Sequence, residues 1–192
     1  MMEALEMNVY YGMFQSEEEF RQSDKELIVI SASYDTFSVA PHMTEGINSL
    51  SGYLAVTDLA RMFQPLNDDS SLKETAKYDL LFVLTPGSGA DYLPTQKFLD
   101  ALNAKILDRI KLVICLDQIG HHGPLTVFTG NTIDESQKEF AKHIVKALDK
   151  SAVSSLSESL NFKRKVVPSS FYEWEHIRYS EKSIFALTIT SL

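Results

Sequence analysis

Four short runs in this 192-residue chain are apolar almost without interruption, and each stops at a polar loop. They are Glu26–Ser31, Tyr78–Leu84, Ile110–Leu116 and Leu125–Thr129. A strand with one wet face would alternate apolar and polar residues, so a continuous run marks a strand covered on both faces. Helical spacing occupies the intervals. Val56, Leu59, Ala60 and Phe63 share one face of a predicted helix over Leu50–Phe63, with Pro65 expected to end it. A second helix is predicted over Tyr92–Leu107. A third runs to about Lys150, opened by a capping box of Thr132 with Glu135 and striped by Phe140, Ile144 and Leu148. Strands alternating with helices predict an α/β fold, a mostly parallel sheet with helices on both faces.

The flanks are less regular. Residues 1–25 read as an N-terminal arm or a short strand at Val9–Gly12, ahead of the main domain over 26–192. Glu17–Glu19 reads as a solvated helix face or turn. Ser151–Ser159 is a serine-rich connector, and Asn161–Val167 reads as an edge strand protected by Lys163, Arg164 and Lys165. A short helix over Ser169–Tyr179 and a last strand over Ile184–Ile189 complete the chain.

Composition removes some functions. The net charge of −8 argues against a nucleic-acid partner, whose binder should carry a basic face to neutralise phosphates. The single cysteine, Cys115, allows no internal disulfide, and its place in an apolar run predicts an inert buried thiol. No apolar run approaches the roughly 20 residues that a bilayer-spanning helix needs. The opening MMEALEMNVYYGMF lacks the pattern of a signal peptide.

Ligands of a parallel sheet gather at the carboxyl ends of its strands. Those ends are Ser33–Asp35, Thr85–Gly89, Asp117–His122 and Thr190 onward. A two-zinc hydrolase needs about five N or O ligands there, plus a carboxylate to take a proton from the bridging water. The inventory is Asp35, Asp117, His121 and His122, with Glu175 and His176 as further candidates. The Thr85–Gly89 turn holds no carboxylate, and Ser88 and Gly89 cannot hold a proton near neutral pH. Ser88, Asp117 and His176 follow the chain order of a serine-hydrolase triad, but Pro86 and Ala90 stand where the strained turn needs glycines. Gly87-Ser88-Gly89 lacks the Lys or Arg of an anion cradle.

Five segments, in order, carry a resemblance: IVISASYDTFSVAP, LSGYLAVTDLARMFQPL, YDLLFVLTPGSGADYLPTQKFLD, LVICLDQIG and FYEWEHIRYSEKSIFALTI. Together they resemble the nicalin–nicastrin family, whose lumenal domains are similar to zinc aminopeptidases. The resemblance implies a zinc-aminopeptidase-like fold. It places the enzymes' first ligand histidine at Ser33 and the aspartate two residues on at Asp35. The bridging aspartate falls at Ser49, with Asn48 as the neighbouring alternative. The paired glutamates fall at Ser88 and Gly89, the ligand aspartate at Asp117, and the supporting Asp-His pair at Glu175-His176. The final ligand histidine finds no match. The resemblance thus implies a remnant cleft with no metal, no cofactor and no catalytic residue.

By the same resemblance the chain is a lumenal domain at the endoplasmic-reticulum membrane. It is implied to work as a protein-binding scaffold that assists biogenesis of multipass membrane proteins. The implied partners are the nodal modulator protein, a small multipass subunit and the Sec translocon. Two alternatives stay open. An active zinc aminopeptidase would recruit His42, His121 or His122. A nicastrin-like receptor for peptide N-termini would meet the amine with Asp35 or Asp117.

Overall fold

The computed structural model describes residues 8–35, 50–69, 75–86, 91–120, 125–129, 134–150 and 174–191. The continuous apolar runs form strands β2 (Glu26–Ser33), β3 (Tyr78–Thr85) and β4 (Ile110–Leu116), joined by β6 (Ala186–Ser191). These four are parallel to one another and occupy the middle of a six-stranded sheet. The edges are antiparallel. Strand β1 (Tyr10–Met13) pairs with β3, and β5 (Leu125–Thr129) pairs with β6, giving the order β1-β3-β2-β4-β6-β5. The α/β, mostly parallel architecture is the one the apolar runs predict. Of the two possibilities for Val9–Gly12, the short strand forms, one residue later.

Side chains alternate across the sheet and build two apolar cores. On one face Leu27, Val29, Leu81, Val83, Val113 and Cys115 meet Phe20, Leu99, Ile106 and Tyr179. Those four come from helices α1 (Glu17–Gln22), α3 (Leu93–Ala101), α4 (Ala104–Arg109) and α6 (Glu175–Ser180). On the other face Ile30, Ala32, Phe82, Leu112, Leu116 and Leu187 pack with Val56 of α2 (Leu50–Asp68) and Ile144 of α5 (Glu135–Lys150). Helices therefore cover both faces.

Several predicted boundaries shift, each for a local reason. Pro65 lies inside α2 rather than ending it. It is exposed and sits in the last turns of the helix, where a missing backbone donor costs least. The helix predicted over Tyr92–Leu107 is two helices. Leu102 turns extended, and the Asn103 side chain accepts from the Ile106 N–H at 2.9 Å, starting α4 afresh. At the start of α5, Asp134 and Gln137 bond each other reciprocally. The Asp134 carboxylate accepts from the Gln137 N–H at 2.8 Å, and the Gln137 side chain accepts from the Asp134 N–H at 3.1 Å. Strand β2 runs through Ala32 and Ser33, and β6 is displaced toward the C-terminus to Ala186–Ser191. The last helix begins at Glu175 among the described residues. The predictions for Thr132, Ser151–Ser159 and Asn161–Val167 lie outside the described residues.

The N-terminal segment is tied into the sheet by a buried ion pair. Arg109 meets Asp79 at 2.5 Å, donates to the carbonyls of Phe20 and Lys25, and lies over the Phe20 ring. Asp79 also accepts from Gln15 and Ser23. Glu17–Glu19 forms the first turn of α1, with Ser16 and Glu19 making a reciprocal cap. This network is at the amino ends of the strands. The candidate site is at the opposite ends.

Candidate functional site

Parallel strands deliver Ser33, Thr85 and Leu116 to one rim of the sheet, with Asp117 one residue beyond β4. The Asp117 N–H donates to the Ile189 carbonyl at 3.0 Å, which extends the sheet ladder by one step and fixes the aspartate against β6. Gln118 then turns with a positive φ of 43°, and its carbonyl accepts from the Ser191 hydroxyl at 2.6 Å. Ser33 donates to Asp35 at 3.0 Å.

Helix α6 closes the rim. Its first residue, Glu175, is buried and accepts from three hydroxyls: Ser31 Oγ at 2.8 Å, Thr85 Oγ1 at 2.9 Å and Thr95 Oγ1 at 3.1 Å. Burial raises the Glu175 carboxyl above its usual range, the three hydroxyls oppose that, and the charge of Asp117 adds to it. The next residue, His176, is also buried. Its Nδ1 meets the Thr188 hydroxyl at 2.8 Å, and the ring bonds the backbone of Thr129 as well. Since a backbone carbonyl only accepts, the ring N–H is assigned to Thr129 and Nδ1 accepts from Thr188. Burial lowers the His176 pKa to about 4, so the ring is neutral at physiological pH.

Ser33, Asp117 and Glu175 line one concavity with Tyr92, Cys115, Leu116, Trp174 and Thr188. It is filled to the point that no space the size of a water molecule remains. Tyr92 is buried in a left-handed conformation with φ 51°, a geometry that costs a non-glycine residue energy. Arg178 anchors the preceding residue by bonding the Asp91 carbonyl and carboxylate. Trp174 stacks on Phe128 with ring centroids 5.1 Å apart. Burial pushes the Cys115 thiol well above its usual value, which makes it a core residue and not a nucleophile. Burial likewise raises Asp117 to about 6, opposed by the Gln118 backbone N–H.

The structure thus gathers Ser33, Asp35, Asp117, Glu175 and His176 at the strand ends. Ser49, Ser88 and Gly89 lie outside the described residues, as do His42, His121 and His122. Sequence reasoning placed Thr85 at a strand end without its partner, and missed Ser31, Thr95 and Thr188. Their signal was present: Ser31 and Ser33 are two apart in an apolar strand, so they share a face, and Thr85 closes the adjacent strand in register with Ser33.

Among the described residues the strand-end donors do not make up a zinc pair. Among the described residues no three of His, Cys, Asp and Glu come together as a metal site. The Ser33 hydroxyl is engaged by Asp35, Glu175 by three hydroxyls and His176 on both ring nitrogens. A hydroxyl at Ser33 is a poor replacement for an imidazole ligand. The same engagement removes His176 as the base of a Ser88-Asp117-His176 triad, since its ring has no nitrogen left to accept a proton from Ser88.

No protein-family model matches the chain. Among curated proteins it is 31% identical over 180 residues to BOS complex subunit ncln of Danio rerio, covering 88% of this chain and 30% of that protein. It is 31% identical over 179 residues to BOS complex subunit NCLN of Homo sapiens, covering 88% of this chain and 31% of that protein. The chain therefore spans about a third of the length of the curated relatives it matches. Among solved structures, a zinc aminopeptidase of Bacillus subtilis superposes with a TM-score of 0.64 at 14% identity, covering 95% of this chain and 39% of that one. Glutaminyl cyclase of Macrostomum lignano gives a TM-score of 0.58 at 15% identity, covering 97% of this chain and 66% of that one. The chain has the fold shared by zinc aminopeptidases and glutaminyl cyclases, and its sequence is similar to the nicalins over most of its length.

Proposed function

We propose that this chain is a catalytically inactive, peptidase-like domain that works by binding protein, as a lumenal part of an endoplasmic-reticulum membrane complex. The observation that carries the reading is the state of the strand ends. Ser33, which the resemblance puts at the first ligand position, is bonded to Asp35, while Glu175 and His176 are committed to hydroxyl and carbonyl partners. Ser88 and Gly89, by identity alone, supply neither a metal-bridging carboxylate nor a base. What is left is a rigid scaffold with an aromatic-lined, filled cleft and a surface for other subunits.

Similarity to proteins named as BOS complex subunits supports assembly in such a complex. In this reading the chain assists multipass membrane protein biogenesis beside the translocon, with the nodal modulator protein and a small multipass subunit as partners. The decisive experiment measures bound zinc in purified protein and turnover on aminoacyl substrates. The expected result is sub-stoichiometric zinc and no turnover above background. Stoichiometric zinc with turnover would overturn the reading and restore the active aminopeptidase.

One observation favours a second reading. Asp117, at the rim of the filled cleft, keeps partial exposure, and burial raises its carboxyl to about 6 with no cation acting on it among the described residues. A receptor for peptide N-termini would need such an acid to meet an amine. Peptides with free and acetylated N-termini distinguish the readings: a preference for the free amine, lost in Asp117→Asn, supports a receptor.

A further inference from the structure

Adjacent residues on α6 tie it to four strands of the sheet. Through Ser31, Thr85 and Thr95, Glu175 reaches β2, β3 and α3. Through Thr188 and the Thr129 backbone, His176 reaches β6 and β5. The residue before them, Trp174, is the N-cap of α6, a wall of the strand-end cleft and the only tryptophan in the chain. Its Nε1 is buried with no hydrogen-bond partner among the described residues, so none of them holds the indole through a hydrogen bond. Its seat comes from the stack on Phe128 and from the backbone of α6.

We propose that the Glu175 carboxylate and its three hydroxyl donors organise the cleft without metal, fixing α6 and the Trp174 wall. Each donor is itself buried, so loss of the carboxylate leaves three hydroxyls without their acceptor in a dry site. The clasp joins segments 144, 90 and 80 residues apart in sequence. Its loss therefore frees α6 before it frees the sheet, whose strands keep their own ladders. Glu175 is a positioning residue in this account, and Trp174 is the group it positions.

The test uses Trp174 fluorescence and acrylamide quenching on the folded protein, alongside far-UV circular dichroism. Glu175→Gln and the near-isosteric Thr95→Val are the test variants. Asp79→Asn, at the opposite end of the sheet, is the control for a merely structural loss. The expected result is red-shifted Trp174 emission and stronger quenching in the two test variants at temperatures where the far-UV signal is native. Their Tm should fall on the order of 5 °C. Asp79→Asn should lower Tm with native Trp174 emission, and chelator or added zinc should move neither quantity in the unsubstituted protein. Native emission in Glu175→Gln, or a chelator-induced shift in the unsubstituted protein, would overturn the proposal. If Glu175→Gln does not fold, Thr95→Val carries the same test alone.

Discussion

Gly52 of α2 rests against the Leu116 carbonyl of β4: a Cβ on Gly52 would lie 2.1 Å from that oxygen. The contact seats the first turn of the helix on the strand end that carries Asp117. Backbone is on the far side of the contact, so no side chain can swing away to make room. Replacing a helical glycine with alanine ordinarily stabilises by about 1 kcal/mol. Here the overlap reverses the sign, and Gly52→Ala should destabilise by about 1–3 kcal/mol. Urea denaturation checks it; a gain in stability would show that the helix can slide outward at little cost.

The Asp79–Arg109 pair predicts a larger effect. Both side chains are at most 10% exposed, and each has further partners that presuppose the other charge. Asp79→Ala leaves a buried guanidinium without its counter-ion and should cost about 3–5 kcal/mol. Arg109→Met removes the second charge, so the double variant should be less destabilised than the sum of the singles. A double-mutant cycle by chemical denaturation measures the coupling.

The fold was legible because its signal is local and repeated. Uninterrupted apolar runs such as Leu112–Leu116 read as strands covered on both sides, with α2 and α5 covering one face and α1, α3, α4 and α6 the other. Boundaries decided by one side chain were not. Nothing about Asn103 in the sequence distinguishes a residue exposed on a long helix from one whose carbonyl oxygen restarts a helix. At the site, Glu175 and His176 were legible by position but not by partner. Their partners lie 144, 90, 80 and 12 residues away, and a hydroxyl in a strand carries no mark of what it bonds. Edge pairing was illegible for the same reason: Tyr10–Met13 needs β3 to be a strand at all.

Pro65 offers a prediction from a boundary that was misread. It sits inside α2, where its missing N–H and its ring each cost the helix, and it is exposed, so no packing repays that cost. Pro65→Ala should therefore stabilise the protein. The gain is expected at roughly 1 kcal/mol, below the ~3 kcal/mol of a mid-helix proline, because the site is in the last turns and proline also restrains the unfolded chain. Thermal unfolding by circular dichroism reads it as a raised Tm with unchanged helix content.

Two titrating groups at the strand ends oppose each other, and the opposition is measurable. His176 has a folded pKa of about 4 against 6.5 when exposed. The unfolded chain therefore binds a proton first as pH falls, so the stability His176 contributes is present above pH 6.5 and lost between 6.5 and 4. Asp117 has a folded pKa of about 6 against 3.8 when exposed. The folded chain holds its proton longer as pH rises, so the stability Asp117 contributes is full below 3.8 and lost as pH passes through 6. Between pH 4 and 6 the two slopes have opposite sign and similar size, about 1.4 kcal/mol per pH unit when fully expressed. Glu175, also raised, adds to the slope of Asp117. Asp117→Asn removes one side of the balance. Relative to the unsubstituted protein it should lose stability progressively as pH falls from 6 to 4, by on the order of 1 kcal/mol per unit. Taking the difference between the two proteins cancels the exposed carboxylates whose pKa values are lowered, such as Asp24, Asp134 and Glu139. Urea unfolding at pH 4, 5, 6 and 7 gives the profile. Parallel curves for the two proteins would mean that Asp117 is solvated in the folded state and that the strand-end cleft is more open than its packing indicates.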